Sequence, residues 1–249
     1  MSTPLLLRQT LLEQRAFWRN VEFAFFTFAL PLLLLLMLGF VQEKDTLMDS
    51  DISAVTYIVP GILGFGVISA AFSNLASRIA ILRAEGVLKR VRTTPVDAGL
   101  YVGAHLLSTL GTTLVVAFAT LALGRIVFDV GPTQAGLPSL AIGLVAGIVC
   151  FGALGLALST VIPSAEAAAP ISNAVYLPLA LVSGVFDPTM TLPGWLQNVV
   201  DLFPIRALVE LLQNSYDARV SEISWHAVVV LVVWSAVGSA VAVRFFRWQ

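Results

Sequence analysis

Charge is scarce in this sequence. Asp, Glu, Lys and Arg make up 12% of its 249 residues, about half the roughly 25% usual in a soluble domain. So little polar surface excludes a water-soluble globular fold of this length. Cysteine is nearly absent: Cys150 stands alone in an apolar run, which excludes an internal disulfide and a thiolate metal site and leaves a small buried hydrophobe. The two histidines, His105 and His226, have no Cys, Asp or Glu at ligand spacing, so packing roles are favoured for both. No glycine-rich loop ends in Lys-Ser or Lys-Thr, so the chain does not bind ATP by that means. Paired carboxylates, HExxH and DxD are missing from the apolar stretches. Ser183-Gly184 lacks the glycine-flanked setting of an intramembrane serine nucleophile, and His226 would be its only base, at the far end of another helix. Ionisable groups at mid-membrane, which proton-coupled transport needs, are absent too.

Hydrophobic residues, by contrast, reach 58%. A spanning helix needs about 20 mostly apolar residues, and six stretches qualify: Phe23–Val41, Ala54–Leu75, Gly99–Leu123, Ser139–Ile162, Ala167–Val185 and Trp225–Phe245. The expected fold is an all-α polytopic membrane protein, one domain over residues 1–249. The first stretch is too long for the apolar core of a cleaved signal and lacks a small-residue cleavage site. With both termini in the cytoplasm, Arg8, Arg15, Arg19, Arg78, Arg83, Lys89, Arg90, Arg92, Arg244 and Arg247 lie inside, while Lys44, Arg125, Arg206 and Arg219 lie outside. That is 10 against 4 of the 14 basic residues, the bias of a protein with cytoplasmic ends and an even number of spans.

Three segments outside the spans carry pattern. In residues 1–20, Leu7, Leu11 and Trp18 share a helical face beside a stripe of Arg8, Arg15 and Arg19, which reads as an interfacial helix. Residues 77–94 read as a short basic cytoplasmic helix, with Glu85 and Lys89 at a favourable i, i+4 spacing; a plain charged loop is the alternative. In residues 187–222, Pro193 can start one short apolar helix, Pro204 breaks it, and a second amphipathic stretch carries Ile205, Leu208, Val209 and Leu212; two such helices joined at a proline suggest a shallow re-entrant hairpin on the outer side.

A hydrophobic domain with a basic cytoplasmic helix and no energy source is most useful inside an assembly driven by another protein. Here the sequence resembles the permeases of type-2 ABC exporters. The resemblance rests on Leu82–Val96 (LRAEGVLKRVRTTPV) and Leu177–Leu212 (LPLALVSGVFDPTMTLPGWLQNVVDLFPIRALVELL), with Thr56–Phe65 (TYIVPGILGF) in support. Daunorubicin-resistance permeases are similar. The resemblance implies a multi-pass cell-membrane subunit, not itself an enzyme, that moves a drug, lipid or lipid-linked glycan outward. It implies two ABC ATP-binding subunits as partners and a second permease chain, identical or homologous. ATP and Mg would sit on the ATP-binding subunits, with no cofactor on this chain. Membrane lipids are expected partners and nucleic acid is not.

Two groups of site residues follow as expectations. Arg83, Glu85, Gly86, Leu88, Lys89 and Arg90 would couple the chain to the ATPase. Phe65, Ser69 and Phe72 on the second span, with Ser172, Tyr176 and Ser183 on the fifth, would line the substrate pathway, since steps of four and seven residues return to one helix face. The competing reading of the hydroxyls is that they bond their own helix backbones. Two other functions stand beside transport: a non-transporting ABC-like sensing or resistance module, and a lipid-acting membrane enzyme, for which no polar catalytic cluster is visible.

Overall fold

The structure, a computed structural model, describes residues 3–42, 53–87, 98–186, 193–220 and 222–245. Apart from one isolated bridge residue, the regular elements among them are helices. In chain order these are α1 (Thr3–Arg19), α2 (Phe25–Gln42, entered through a short turn at Val21–Ala24), α3 (Val55–Ala84), α4 (Ala98–Phe128) and α5 (Leu137–Ser159). They continue with α6 (Ala165–Val182), α7 (Gly194–Val200), α8 (Pro204–Asn214) and α9 (Trp225–Phe245). Six of them, α2 to α6 and α9, are long and apolar enough to cross a membrane.

The sixth span matches its expected limits, Trp225–Phe245. The second does not stop at Leu75: α3 is continuous for 30 residues to Ala84. At 1.5 Å per residue, α3 is about 45 Å long, some 15 Å more than the hydrocarbon core of a bilayer. The surplus is the end that carries Arg78 and Arg83, because charged side chains are excluded from the core. Only residues 77–87 of the expected short helix over 77–94 are among the described residues. Ser77–Ala84 is the end of α3, and the chain turns at Glu85 and at Gly86, whose φ of 69° suits glycine because it has no Cβ to clash. Leu88, Lys89 and Arg90 lie outside the described residues.

α3 is the axis of the molecule. Of its most apolar window 89% is buried inside the chain, against 22% for α2, α6 and α9. Leu63, Phe65, Val67 and Ile68 of α3 enter one core with Phe151 of α5, Leu208 and Leu212 of α8 and Leu231 of α9. Between Ser69 and Asn74 its backbone widens into a π-helical turn. α5 presses on that turn through Gly155, where a Cβ would lie 2.8 Å from the Phe72 carbonyl oxygen and 3.0 Å from that of Ala71. Only glycine permits this approach.

Pro193 caps α7, and Pro204, expected as the break after it, is the first residue of α8. α8 buries Ile205, Leu208, Val209, Leu211 and Leu212 and runs antiparallel to α5. Gly136 faces Ser215, Gly143 faces Leu211 and Gly147 faces Leu208. Gly147 is the eleventh residue of a 23-residue helix, so α8 follows α5 to about half its length.

Candidate functional site

The pathway residues come together. Phe65 and Phe72 flank the Tyr176 ring with centroids 5.8 and 6.3 Å away, and Phe186 lies 5.3 Å from Phe65. The Tyr176 hydroxyl lies beside the Ser69 side chain. One turn further along, Ser73 Oγ donates to Asn173 Oδ1 at 3.4 Å. The seam between α3 and α6 is thus aromatic towards the start of α3 and amidic and hydroxylic towards its Arg78–Arg83 end. It coincides with the π-helical turn of α3, a feature found often at functional positions.

All six expected residues are buried within one chain, from 0% exposed for Ser172 and Ser183 to 7% for Ser69. The seam is closed in this conformation. The hydroxyls divide between the two readings. Ser183 Oγ donates to the Leu179 carbonyl at 2.5 Å and serves its own helix, as Ser often does. Ser172 Oγ is buried with no hydrogen-bond partner among the described residues, and a buried unsatisfied hydroxyl in a native fold calls for an explanation. The buried stripe of α6, Ala168, Ser172, Tyr176 and Ala180, has the four-residue spacing of a helix face.

At the C-terminal end of α3 the expected coupling residues separate. Arg83 is turned inward: Nη1 donates to the Ser159 carbonyl at 2.9 Å and Nη2 to that of Ile162. A guanidinium placed there satisfies the orphan carbonyls at the end of α5 and complements its dipole. Exposed Glu85 and half-buried Gly86 form the turn that follows.

Sequence reasoning missed a polar junction beside this end. Glu13 of α1 accepts a hydrogen bond from Arg78 Nη2 at 3.1 Å, and the same oxygen is 3.4 Å from His105 Nδ1. Ser108 Oγ is 2.9 Å from the Gln14 side chain. Glu13, Asn20, Asn74, Arg78, His105 and Ser108 border a cavity of about 30 Å³, room for about one water. The signal available in the sequence was the lone acid, Glu13, on the face of α1 opposite the arginines. The expected apolar and basic stripes of α1 are exposed. Its inner face, however, packs lengthwise along α4, Leu6 against Gly103 and Gln14 against Gly111.

A second missed cluster closes the opposite end. The Tyr57 hydroxyl at the start of α3 donates to Asp217 Oδ2 at 2.7 Å, and Arg219 Nε donates to Asp217 Oδ1 at 3.1 Å. Burial works to raise the pKa of Asp217, but the bonds from Arg219 and Tyr57 prevail and hold the carboxyl below its ordinary value.

No group of three metal-binding side chains occurs among the described residues. The sequence profile of the family described as "ABC-2 type transporter" matches residues 5–216. A Bacillus subtilis (strain 168) protein, "Putative transport permease YvfS", is 22% identical over 204 residues, 80% of each chain.

Proposed function

Since the chain belongs to the ABC-2 type transporter family, a family of multi-pass membrane permeases, we propose that it is the passive permease subunit of an exporter. ATP is hydrolysed on a separate ABC subunit, and a hydrophobic or amphipathic substrate (a drug, lipid or lipid-linked glycan) moves outward. Two ATP-binding subunits and a second permease chain complete the assembly, with both termini of this chain in the cytoplasm of the cell that holds it.

The observation that carries this reading is the α3–α6 seam. It joins aromatic rings to hydroxyls at a π-helical turn, and it leaves Ser172 Oγ unsatisfied. Polar side chains inside a span face protein or a water-filled route rather than lipid. A seam that parts as the ATPase cycles would give Ser172 a partner and expose Phe65, Ser69, Phe72, Tyr176 and Ser183 to an amphipathic molecule. The turn at Glu85 and Gly86, with Leu88, Lys89 and Arg90 after it, is the coupling segment. Arg83 joins it to α5, so a push there is felt by two spans at once. Support for a re-entrant outer hairpin comes from the depth that α8 reaches along α5 and from Trp234, which donates from mid-span to the Leu202 carbonyl. Non-helical backbone at membrane depth requires such a partner.

Purification with the ATP-binding subunit, reconstitution, and measurement of ATP hydrolysis against candidate substrates test the proposal. Hydrolysis stimulated by a transported substrate and absent from the rigorously purified chain alone is expected. Assembly with the ATPase but no vectorial movement of any amphipathic substrate would favour a sensing or resistance module instead.

A further inference from the structure

α1 is an amphipathic helix with an unusual division of its polar residues. Its acid and one of its amides, Glu13 and Gln14, turn inward to Arg78, His105, Ser108 and Thr112. Its three arginines turn outward and are exposed. At 3.6 residues per turn, Arg15, Arg8 and Arg19 fall within a strip about 40° wide. Leu11 and Trp18 border one side of that strip and Leu5 and Leu12 the other, with exposures of 61%, 41%, 51% and 52%. Glu13 is the only acid in α1 and is held by Arg78, so Arg8, Arg15 and Arg19 have no ion-pair partner among the described residues. The C-terminal half of the strip opens on a concavity of about 1090 Å³, bounded by Leu11, Leu12, Arg15, Trp18 and Arg19 and closed by the turn at Asn20 and Val21.

The occupant of such a surface must carry negative charge at its centre and hydrocarbon beside it. An acidic protein surface meets the first demand and leaves the leucines and Trp18 in water. A zwitterionic lipid meets the second and offers the arginines no net charge. An anionic phospholipid meets both: its phosphate reaches the guanidiniums while its acyl chains cover the flanking apolar side chains. Trp18 suits the same level, since indoles gather at the headgroup boundary. We propose that the C-terminal half of α1 and its turn into α2 form a binding site for an anionic phospholipid, with Arg15 and Arg19 on the headgroup and Leu11, Leu12 and Trp18 on the chains. Through Glu13 and Gln14 the site's occupancy bears directly on α3 and α4.

Native mass spectrometry of the full chain in detergent, with phosphatidylglycerol and phosphatidylcholine added in equal amounts, tests this. Phosphatidylglycerol should be retained at least tenfold more than phosphatidylcholine. Arg15→Gln and Arg19→Gln should each lower that preference about fivefold, while Arg125→Gln at the opposite end leaves it unchanged. The wild-type preference should also fall as salt is raised, a measurement that needs no variant to fold. Equal retention of the two lipids overturns the proposal. So does a preference that survives the double substitution in a chain of unchanged helical content. If the double variant keeps its lipid preference but no longer copurifies with the ATP-binding subunit, α1 is a protein-docking face and the lipid site is refuted.

Discussion

The indole Nε1 of Trp234 donates to the main-chain carbonyl of Leu202 at 2.8 Å, and the Trp234 ring stacks on Phe203 with planes 19° apart. Trp234 is the tenth residue of the 21 in α9, so this bond sits near the middle of a span, where water cannot substitute for it. Trp234→Phe keeps a ring for stacking and removes the donor. It should destabilise the protein by about 1–3 kcal/mol, read as a lower thermal midpoint in nanodiscs and faster hydrogen exchange in α7 and α8. Trp234→Leu should cost about 1 kcal/mol more by losing the stack. A wild-type midpoint for Trp234→Phe would show that the Leu202 carbonyl is satisfied elsewhere.

Gly155 and Gly152 are one turn apart on α5 and meet different surroundings. A Cβ at 155 would strike the backbone of α3, whereas at 152 the nearest atom is 4.0 Å away, the Leu106 Cδ2. Gly155→Ala is expected to lower stability by about 1–3 kcal/mol, and Gly152→Ala to leave it unchanged or raise it slightly. Equal thermal midpoints for the two variants would contradict the close approach of α5 to the π-helical turn.

In the seam, Tyr176→Phe removes the phenol hydroxyl and keeps the ring between Phe65 and Phe72. Transport should drop several-fold while copurification with the ATPase and basal hydrolysis persist. A tryptophan scan of Ala165–Val182 extends the test. Loss confined to 172, 176 and the neighbouring 183 marks the pathway; uniform loss along α6, or loss only on its opposite face, removes the assignment.

The Tyr57–Asp217–Arg219 cluster predicts a pH dependence. Asp217 is held below the ordinary carboxylate pKa, so its contribution to stability is complete above that ordinary value, about 3.9. It is lost as pH falls through the depressed pKa. Wild-type protein should therefore lose more thermal stability than Asp217→Asn between about pH 6 and pH 3. Parallel curves for the two proteins would show that the cluster makes no net contribution.

Orientation is open to direct measurement in a Cys150→Ala background. A cysteine at Asp129 should react with an impermeant maleimide on intact cells, and one at Glu166 only after lysis. The reverse pattern would invert the topology and with it the placement of the arginines of α1.

What the sequence revealed and what it hid have physical reasons. Hydropathy reports apolar composition, so it found six stretches fit to span and ended the second at Leu75, about nine residues before the helix itself ends at Ala84, because Arg78 and Arg83 interrupt the apolar run. Proline fixes φ and removes a donor, which is why Pro193 marked the start of α7 and Pro204 the break after it; that Pro204 is also the first residue of α8 is the same property used at a helix N-terminus. Helical spacing placed Ser172 and Tyr176 on one face because α6 is regular there. It could not show that Ser183 turns back on Leu179, a choice of rotamer. The Glu13–Arg78–His105 junction was illegible for another reason. Glu13 lies 65 residues before Arg78 and still further before His105, and each alone reads as an ordinary surface or packing residue.

The π-helical turn of α3 has a geometric consequence for the two arginines below it. A π turn holds more residues than an α turn, so the helix enters and leaves Ser69–Asn74 out of angular phase with a plain 3.6-residue repeat. Were the turn to tighten into α-helix, the stretch from Leu75 to Ala84 would swing by about 100°, the angle of one residue. Arg78 would be carried away from Glu13 and Arg83 away from the end of α5. The two guanidinium contacts are therefore a torsional brace: they hold the lower third of α3 at one setting of a screw whose thread changes pitch at Ser69.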